Sequence, residues 1–498
     1  MLLGCSKATN WYVDNAATGK NDGTSWANAW HSWGAIVWGS RGVSAGDTLL
    51  ISGGTTSKTY NEKMWIGAGG TPNAWLTISS GRSTGHNGQV IFDLKDTCDH
   101  AAECPANYIH VTGLVGTNKN IVLKNTNTPA TQQNRDFGIG IFCGGQSFHI
   151  WEGIQIQSCN NGISYNGANN IEIRYCSLSD IRGDCAMKFS GILGSASTGF
   201  DNYKIHDNVI TLNADFVGGN GGPDGMQTNG GMNFYNNIVR SMNGVISPGQ
   251  HPDGIQFFGN YVKVHGNYFA NFLNSGCKYE PLSPTTFSEE VYCYDNIFTV
   301  DDAAFFAKKG NNGKGCEFGS NQEMDSSKNI VIANNIFIDL VGLAINGKMT
   351  STSGNPYSFI VENNIIYNCA RLTTGTNYSS AVGLSKATID YNLQCAGPHG
   401  FVGIVMDSIG NDKFSPFTQL HPRKGVPSFV SYTEQGGLSN DLHLAQNDNA
   451  AAGMGITLSQ YFTIDKDNRL RTGVWDLGPY KGTWTKPEAP PIIQVHCK

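Results

Sequence analysis

YKIHDNVI at residues 203–210, MNFYNNIV at 232–239 and VKVHGNYF at 262–269 are three copies of one phrase, apolar-x-apolar-x-x-Asn-x-apolar. It returns as VYCYDNIF (291–298), IVIANNIF (330–337) and FIVENNII (359–366), and TIDYNLQC (388–395) continues the series. The marker residues are Asn208, Asn237, Asn267, Asn296, Asn335, Asn364 and Asn392, at steps of 29, 30, 29, 39, 29 and 28. Upstream, IVLKNTNT, FHIWEGIQI and IEIRYCSL fit the same frame with Asn125, Gly153 and Cys176 at the marker. A fixed period of this size means one supersecondary unit stacked on itself.

The unit is built of strands. Val262 and Val264 alternate with Lys263 and His265, a period of two, and no segment holds a helical apolar stripe for three turns. A second short strand precedes the Asn phrase in most units: FGIGIF, NGISY, CAMKF, DGMQT, DGIQF, GLAIN and AVGLS. Several short strands and tight turns per unit describe one coil of a parallel β-helix. The fold class is therefore all-β, a solenoid of about ten or more coils. In such a stack the Asn column reads as an internal amide ladder that satisfies turn backbone groups.

The repeat runs from about residue 108 to 395 without a linker, so one elongated domain is expected over 11–484. Residues 11–107 form its N-terminal cap and first coils, and 396–484 its closing segment. Residues 485–498 (within KPEAPPIIQ and beyond) read as a linker-like tail. There are 62 glycines, only 14% charged residues and a net charge of −6. No basic stripe is present, which argues against a nucleic-acid partner. No apolar run approaches the ~20 residues of a membrane-spanning helix. Thirteen cysteines without a C-x-x-C pair suggest an oxidising compartment, with Cys98/Cys104 and Cys277/Cys293 as candidate disulfides. Leu2-Leu3-Gly4-Cys5 resembles the lipobox of bacterial lipoproteins, which implies a lipid anchor at Cys5 over residues 1–10.

Outside the repeat, Tyr12-Val13-Asp14, the run Gly23 to Ala27 and the turn Ala45 to Thr48 resemble the opening cap of secreted bacterial right-handed parallel β-helix proteins of the pectate-lyase-like superfamily. Residues 441–456 and 473–480 resemble their closing segment. The resemblance covers almost the whole chain. It implies a right-handed coil and a secreted or surface-bound protein acting on carbohydrate; within that superfamily lyases, hydrolases, epimerases and fibres all occur.

Two units depart from the generic pattern in the same way. Pro223-Asp224-Gly225-Met226-Gln227 and Pro252-Asp253-Gly254-Ile255-Gln256 share Pro-Asp-Gly-apolar-Gln, each Asp lying 13 or 14 residues before its ladder Asn. They are expected on adjacent coils one rung apart, roughly 4.8 Å. Asp184 and Asn161 extend this into a column Asn161, Asp184, Asp224, Asp253. Asp-Gly also favours turns, and an Asp can accept local backbone N–H bonds. Stacked carboxylates repel, however, and persist where a cation, a shared proton or a hydroxyl network compensates.

Three chemistries fit the column. Carboxyls about 5 Å apart suit retaining glycoside hydrolysis, and the wider Asp184–Asp253 gap, about 10 Å, is nearer the inverting spacing. Asp184, Asp224 and Asp253 could instead hold Ca²⁺ and acidify a uronate C5 proton, with Lys278, His251 or His265 as base. The third option is hydrogen bonding to sugar hydroxyls by Asp, Gln227, Gln256 and Glu280. Aromatic platforms could come from Phe216, Tyr235, Phe258, Tyr261 and Tyr279. Insertions at 191–202, 213–222, 241–252, 281–290 and 308–328 would wall the groove. The leading reading is an extracellular polysaccharide-cleaving enzyme, by hydrolysis or calcium-assisted elimination, and the lack of a basic groove tilts it towards hydrolysis. The other reading is a non-catalytic glycan-binding or adhesive surface or fibre protein.

Overall fold

The computed structural model describes residues 8–126, 138–190, 199–213, 223–242, 252–272, 274–280, 289–303, 305, 313–318, 328–340, 344–347, 359–369, 387–395, 397 and 419–482. Cys5, Phe216, His251, the 485–498 tail and most of the insertions lie outside them.

Three long parallel sheets carry the described strands, with 13, 12 and 10 members. Each coil visits them in turn. Asp224–Thr228 lies in the 10-stranded sheet, Met232–Tyr235 in the 13-stranded sheet and Ile238–Met242 in the 12-stranded sheet, and the chain then returns to the first of these at Ile255–Phe257. This is a right-handed parallel β-helix. Coiling begins at Asn10–Val13, which pairs with Thr48–Ile51, so the cap is continuous with the first rungs.

Stacking follows from side-chain identity. Phe234, Phe269, Phe298 and Phe337 stack through the interior with ring centroids 6.2, 5.1 and 5.0 Å apart. The Asn column is a continuous ladder from Asn208 to Asn392. Oδ1 of Asn237 accepts the backbone N–H of Asn208 (3.1 Å) and its Nδ2 (3.0 Å), and every later rung repeats this pair. The residue before each marker turns the chain with positive φ, from 53° to 65°, which favours Asp, Asn or Gly at six of the seven places (Asp207, Asn236, Gly266, Asp295, Asn334 and Asn363); Tyr391 before Asn392 is the exception.

The upstream markers need correction. Ile154 pairs along the sheet with Ile121, and Gln155 with Ser177, so Ile154, not Gly153, stands level with Cys176 and Asn208. Asn125 is not in the ladder at all: it follows a strand of the 12-stranded sheet and bonds Asp93 Oδ1 at 2.9 Å. Its phrase has the right spelling in the wrong sheet.

The C-terminal segment runs back along the flank. Phe462 stacks on Tyr294 (4.2 Å), Arg471 pairs with Asp295 (2.6 Å), Asn334 donates to the carbonyls of Asp476 and Gly478, and Lys466 donates to the carbonyl of Gly266. All eleven described cysteines are free thiols, so neither Cys98/Cys104 nor Cys277/Cys293 is bridged. Nine of them are buried and pack as small hydrophobes. Among the described residues no helix is long and apolar enough to cross a membrane.

Candidate functional site

Asp184, Asp224, Asp253, Gln227, Gln256, Lys278 and Glu280 lie on or beside the strands of the 10-stranded sheet. Register is set by the core. Met187 pairs with Met226, and Ile255, Cys277 and Cys316 continue the inward column, which turns Lys188, Gln227, Gln256, Lys278 and Glu317 outward in one row. Lys278 thus occupies the place that Gln227 and Gln256 hold on earlier coils.

At the strand starts, Asp224 and Asp253 are successive members of one column. The backbone N–H of Asp253 donates to Asp224 Oδ1 at 2.7 Å, and that of Ser275 donates to Asp253 Oδ1 at 2.9 Å. Each carboxylate therefore caps the coil that follows it. Asn161 does the same work with an amide, accepting from the N–H groups of Asp184 (3.2 Å) and Cys185 (3.0 Å).

Asp184 does not share the column. Cys185 is the partner of Asp224, and Asp184 falls one residue earlier, its carboxylate bonded to Lys188 Nζ at 2.8 Å. One extra residue separates Asp184 from Met187 compared with Asp224 and Met226, and the buried methionines decide the register. The pair Asp224-Gly225 is not a turn either. Gly225 lies within a strand, where a Cβ would stand 2.2 Å from the Gly254 carbonyl and 2.6 Å from Val239 Cγ1. Glycine is required there by coil-to-coil approach.

A hydrogen-bonded row links the outward residues. Gln227 Nε2 reaches Asp224 Oδ2 (2.7 Å) and Gln256 Oε1 (3.1 Å), Gln256 Nε2 reaches Glu280 Oε2 (2.6 Å), and Lys278 Nζ lies 3.1 Å from Glu280 and 3.8 Å from Asp253. Beneath it, Asn274 Nδ2 donates to both oxygens of Asp253, Ser275 Oγ to Glu317 Oε2 (2.9 Å) and Lys314 Nζ to Glu317 Oε1 (2.7 Å). The sequence reading passed over Asn274, Ser275, Lys314 and Glu317. A signal for Glu317 was present: Gly276-Cys277-Lys278 and Gly315-Cys316-Glu317 repeat the same frame.

Burial dominates the electrostatics. Asp224 is 3% exposed and Asp253 0%. Burial, then the neighbouring Asp253 charge, holds the Asp224 carboxyl well above the usual range. Burial pushes Asp253 up to about 7, with Lys278 opposing and Glu317 adding to the shift. Burial works against the Lys278 ammonium, but Asp253 and Glu280 outweigh it and hold its pKa above the ordinary value. The pair thus retains a proton near neutrality, beside an ammonium that stays charged. A calcium ion would have to displace the Gln227 and Asn274 amides and face the Lys278 ammonium, so this donor set does not fit the ion well.

Three other expected residues stand elsewhere. Tyr279 is a core residue, packed in register with Phe257 (5.2 Å) and Phe318 (6.2 Å), because it follows outward Lys278 on the alternating strand. His265 and Tyr235 belong to the 13-stranded sheet, in a stack His206–Tyr235–His265–Tyr294. Burial, with Lys263 adding, pushes the His265 pKa down to about 3.

No protein-family model matches the chain, and no curated protein sequence matches it. Among solved structures, the chain is similar to pectate lyase Pel9A, with 14% identity over 96% of this chain and 98% of that chain and a TM-score of 0.42. It is similar to XylC in complex with xylose, with 9% identity over 95% and 98% and a TM-score of 0.49. A GH136 lacto-N-biosidase from Eubacterium ramulus gives 12% identity over 78% and 68% and a TM-score of 0.46. The architecture rests on the strand pairing itself, and these likenesses carry no site residue across.

Proposed function

We propose that the chain is a secreted or surface-displayed carbohydrate-active enzyme that hydrolyses glycosidic bonds on the outer face of the 10-stranded sheet. The observation that carries this reading is the proton-retaining pair Asp224–Asp253, held on adjacent coils and bridged by the Asp253 N–H. A carboxyl kept neutral by burial is a proton donor for a leaving glycosidic oxygen. In this reading Asp224 gives that proton. Asp253, fixed by Asn274 and Ser275, is the carboxylate partner: water adds to the anomeric carbon as the glycosidic C–O bond breaks, and the proton that water loses passes to Asp253. Gln227, Gln256 and Glu280 offer hydrogen bonds to sugar hydroxyls.

Lys278 is a positioned cation in this scheme. Proton abstraction from a uronate would need it neutral, and Asp253 and Glu280 favour its charged form. Among the described residues, carboxylates Asp184, Asp253, Glu280 and Glu317 are paired with Lys188, Lys278 and Lys314 across these coils, a balance that favours a neutral glycan over a polyuronate.

The test is incubation with a panel of neutral and uronic polysaccharides, with and without chelator, recording reducing ends and the absorbance of unsaturated products. New reducing ends without new absorbance, lost in Asp224→Asn, support hydrolysis. Absorbance that disappears with chelator would replace it with calcium-assisted elimination. Binding without any product would identify a non-catalytic glycan-binding or adhesive protein.

A further inference from the structure

Directly behind the outward row lies a second cluster that the proposed hydrolysis does not use. Cys277 and Cys316 are inward neighbours on adjacent coils, and Cys293 faces them from the 13-stranded sheet. All three are fully buried, their sulfurs lie within 4.8 Å of one another, and Cys293 Sγ is 3.7 Å from Cys316 Sγ. Metal–thiolate bonds of about 2.3 Å in a trigonal or tetrahedral array place sulfurs roughly 3.7–4.0 Å apart, so only small rotamer changes separate this cluster from a coordinating one. We propose that Cys277, Cys293 and Cys316 form a buried three-sulfur site for one soft, thiophilic metal ion, of the Cu(I) or Cd(II) class.

The surroundings of the sulfurs narrow the chemistry. Asn296 Nδ2 lies 3.5 Å from Cys293 Sγ but has no hydrogen left to donate to it. That amide is itself fixed by the ladder, through Val264 O at 2.8 Å and Asn335 Oδ1 at 3.0 Å. Finally, among the described residues sulfur is the only ligand type in the cluster, which selects soft ions over zinc sites completed by His or carboxylate. Binding would release thiol protons to solvent and tie two sheets together behind Lys278 and Glu317.

A second cluster sharpens the criterion. Cys104, Cys143 and His149 are also close and buried, but His149 Nε2 lies 2.6 Å from the Ala106 carbonyl and Nδ1 2.9 Å from Tyr165 Oη. Its ring nitrogens are already engaged, so that group lacks a free imidazole ligand and is assigned to packing.

Because the sulfurs are buried, the ion would enter as the coils close. The test is to refold the full chain from reductant-containing denaturant with and without Cd(II), then measure bound metal by mass spectrometry and thiolate-to-metal absorbance in the ultraviolet. The expected result is one ion per chain, reduced at least about tenfold in Cys293→Ser and unchanged in Cys369→Ser, a buried cysteine outside both clusters, with circular dichroism showing both variants folded. If Cys293→Ser does not fold, Cys277→Ala serves in its place, with metal loss again expected. Wild-type protein that keeps no more metal than Cys293→Ser or Cys277→Ala, or that isolates with a Cys293–Cys316 disulfide under the same conditions, overturns the proposal.

Discussion

The carboxylate of Asp224 accepts the backbone N–H of Asp253 at 2.7 Å, so one member of the carboxyl pair positions the other. The same oxygen atoms that would serve chemistry also hold the coil. Replacement at this position therefore separates the two roles. Asp224→Asn keeps an acceptor and should cost little stability while removing the proton donor. Asp224→Ala leaves a buried N–H without a partner and should cost about 1–3 kcal/mol besides. Urea unfolding and polysaccharide hydrolysis, measured on both variants, check this; equal stability losses would contradict it.

Proton uptake should be visible in the stability curve. Asp253 is raised to about 7, Glu362 to about 7 and Asp295 to about 8, in each case chiefly by burial. Each folded value exceeds the unfolded one, so the native state holds extra protons between about pH 4 and pH 8. Their stabilising contribution is complete below about pH 4 and is lost as pH rises through the folded values. The urea midpoint is expected to fall from pH 5 to pH 8, and Asp253→Asn should flatten part of that slope. Midpoints that climb across this window would refute the assignment.

Lys278 restrains the ionisation of its neighbour. Lys278→Met removes the cation from 3.8 Å and 3.1 Å of Asp253 and Glu280, so the Asp253 carboxyl should titrate at still higher pH. Carboxyl-carbon NMR titration of wild type and variant reads this directly, and an unchanged or lower value would be incompatible with the proposed coupling.

Ladder residues should be worth more than their surface suggests. Asn267→Ala strips the acceptor from the Asn237 backbone and side-chain amides and the donor from the Phe234 carbonyl. Buried unsatisfied groups of this kind cost about 1–3 kcal/mol each, so a loss of roughly 3 kcal/mol or more is expected by chemical denaturation.

Close approach at the small-residue column gives a steric counterpart. Gly225→Ala sets a methyl 2.2 Å from the Gly254 carbonyl, and overpacking of this sort costs about 1–3 kcal/mol. A neutral melting temperature for that variant would show that the coils can move apart there.

Much of this was legible in the chain, for a physical reason. A coil that stacks on itself must repeat its buried groups, so Asn208 to Asn392 announced the ladder, and counting back from Asn237 and Asn267 brought Asp224 and Asp253 together. Asp184 was misplaced because counting from a polar residue ignores what sets register. Met187 and Met226 are buried and align, and they move Asp184 one step out. Tyr279 was misjudged for a related reason: its parity with Lys278 already demanded an inward side chain. Glu317 and Lys314 were missed because their charge looked like ordinary surface, although the stacked Gly-Cys pairs placed them on the same face as Lys278. His251 falls outside the described residues.

The returning C-terminal segment has a mechanical consequence. Lys466 is bonded to the carbonyl of Gly266, Arg471 to Asp295, and Asn334 and Asn363 to the carbonyls of Asp476, Gly478 and Ile456. Its anchors are spread over four successive rungs instead of gathered on the last. Tension applied at residue 482 therefore loads several attachments across the stack in shear before the last coil can peel. In a pulling experiment the segment should detach as a strap, in its own force event, ahead of any unwinding of the rungs beneath.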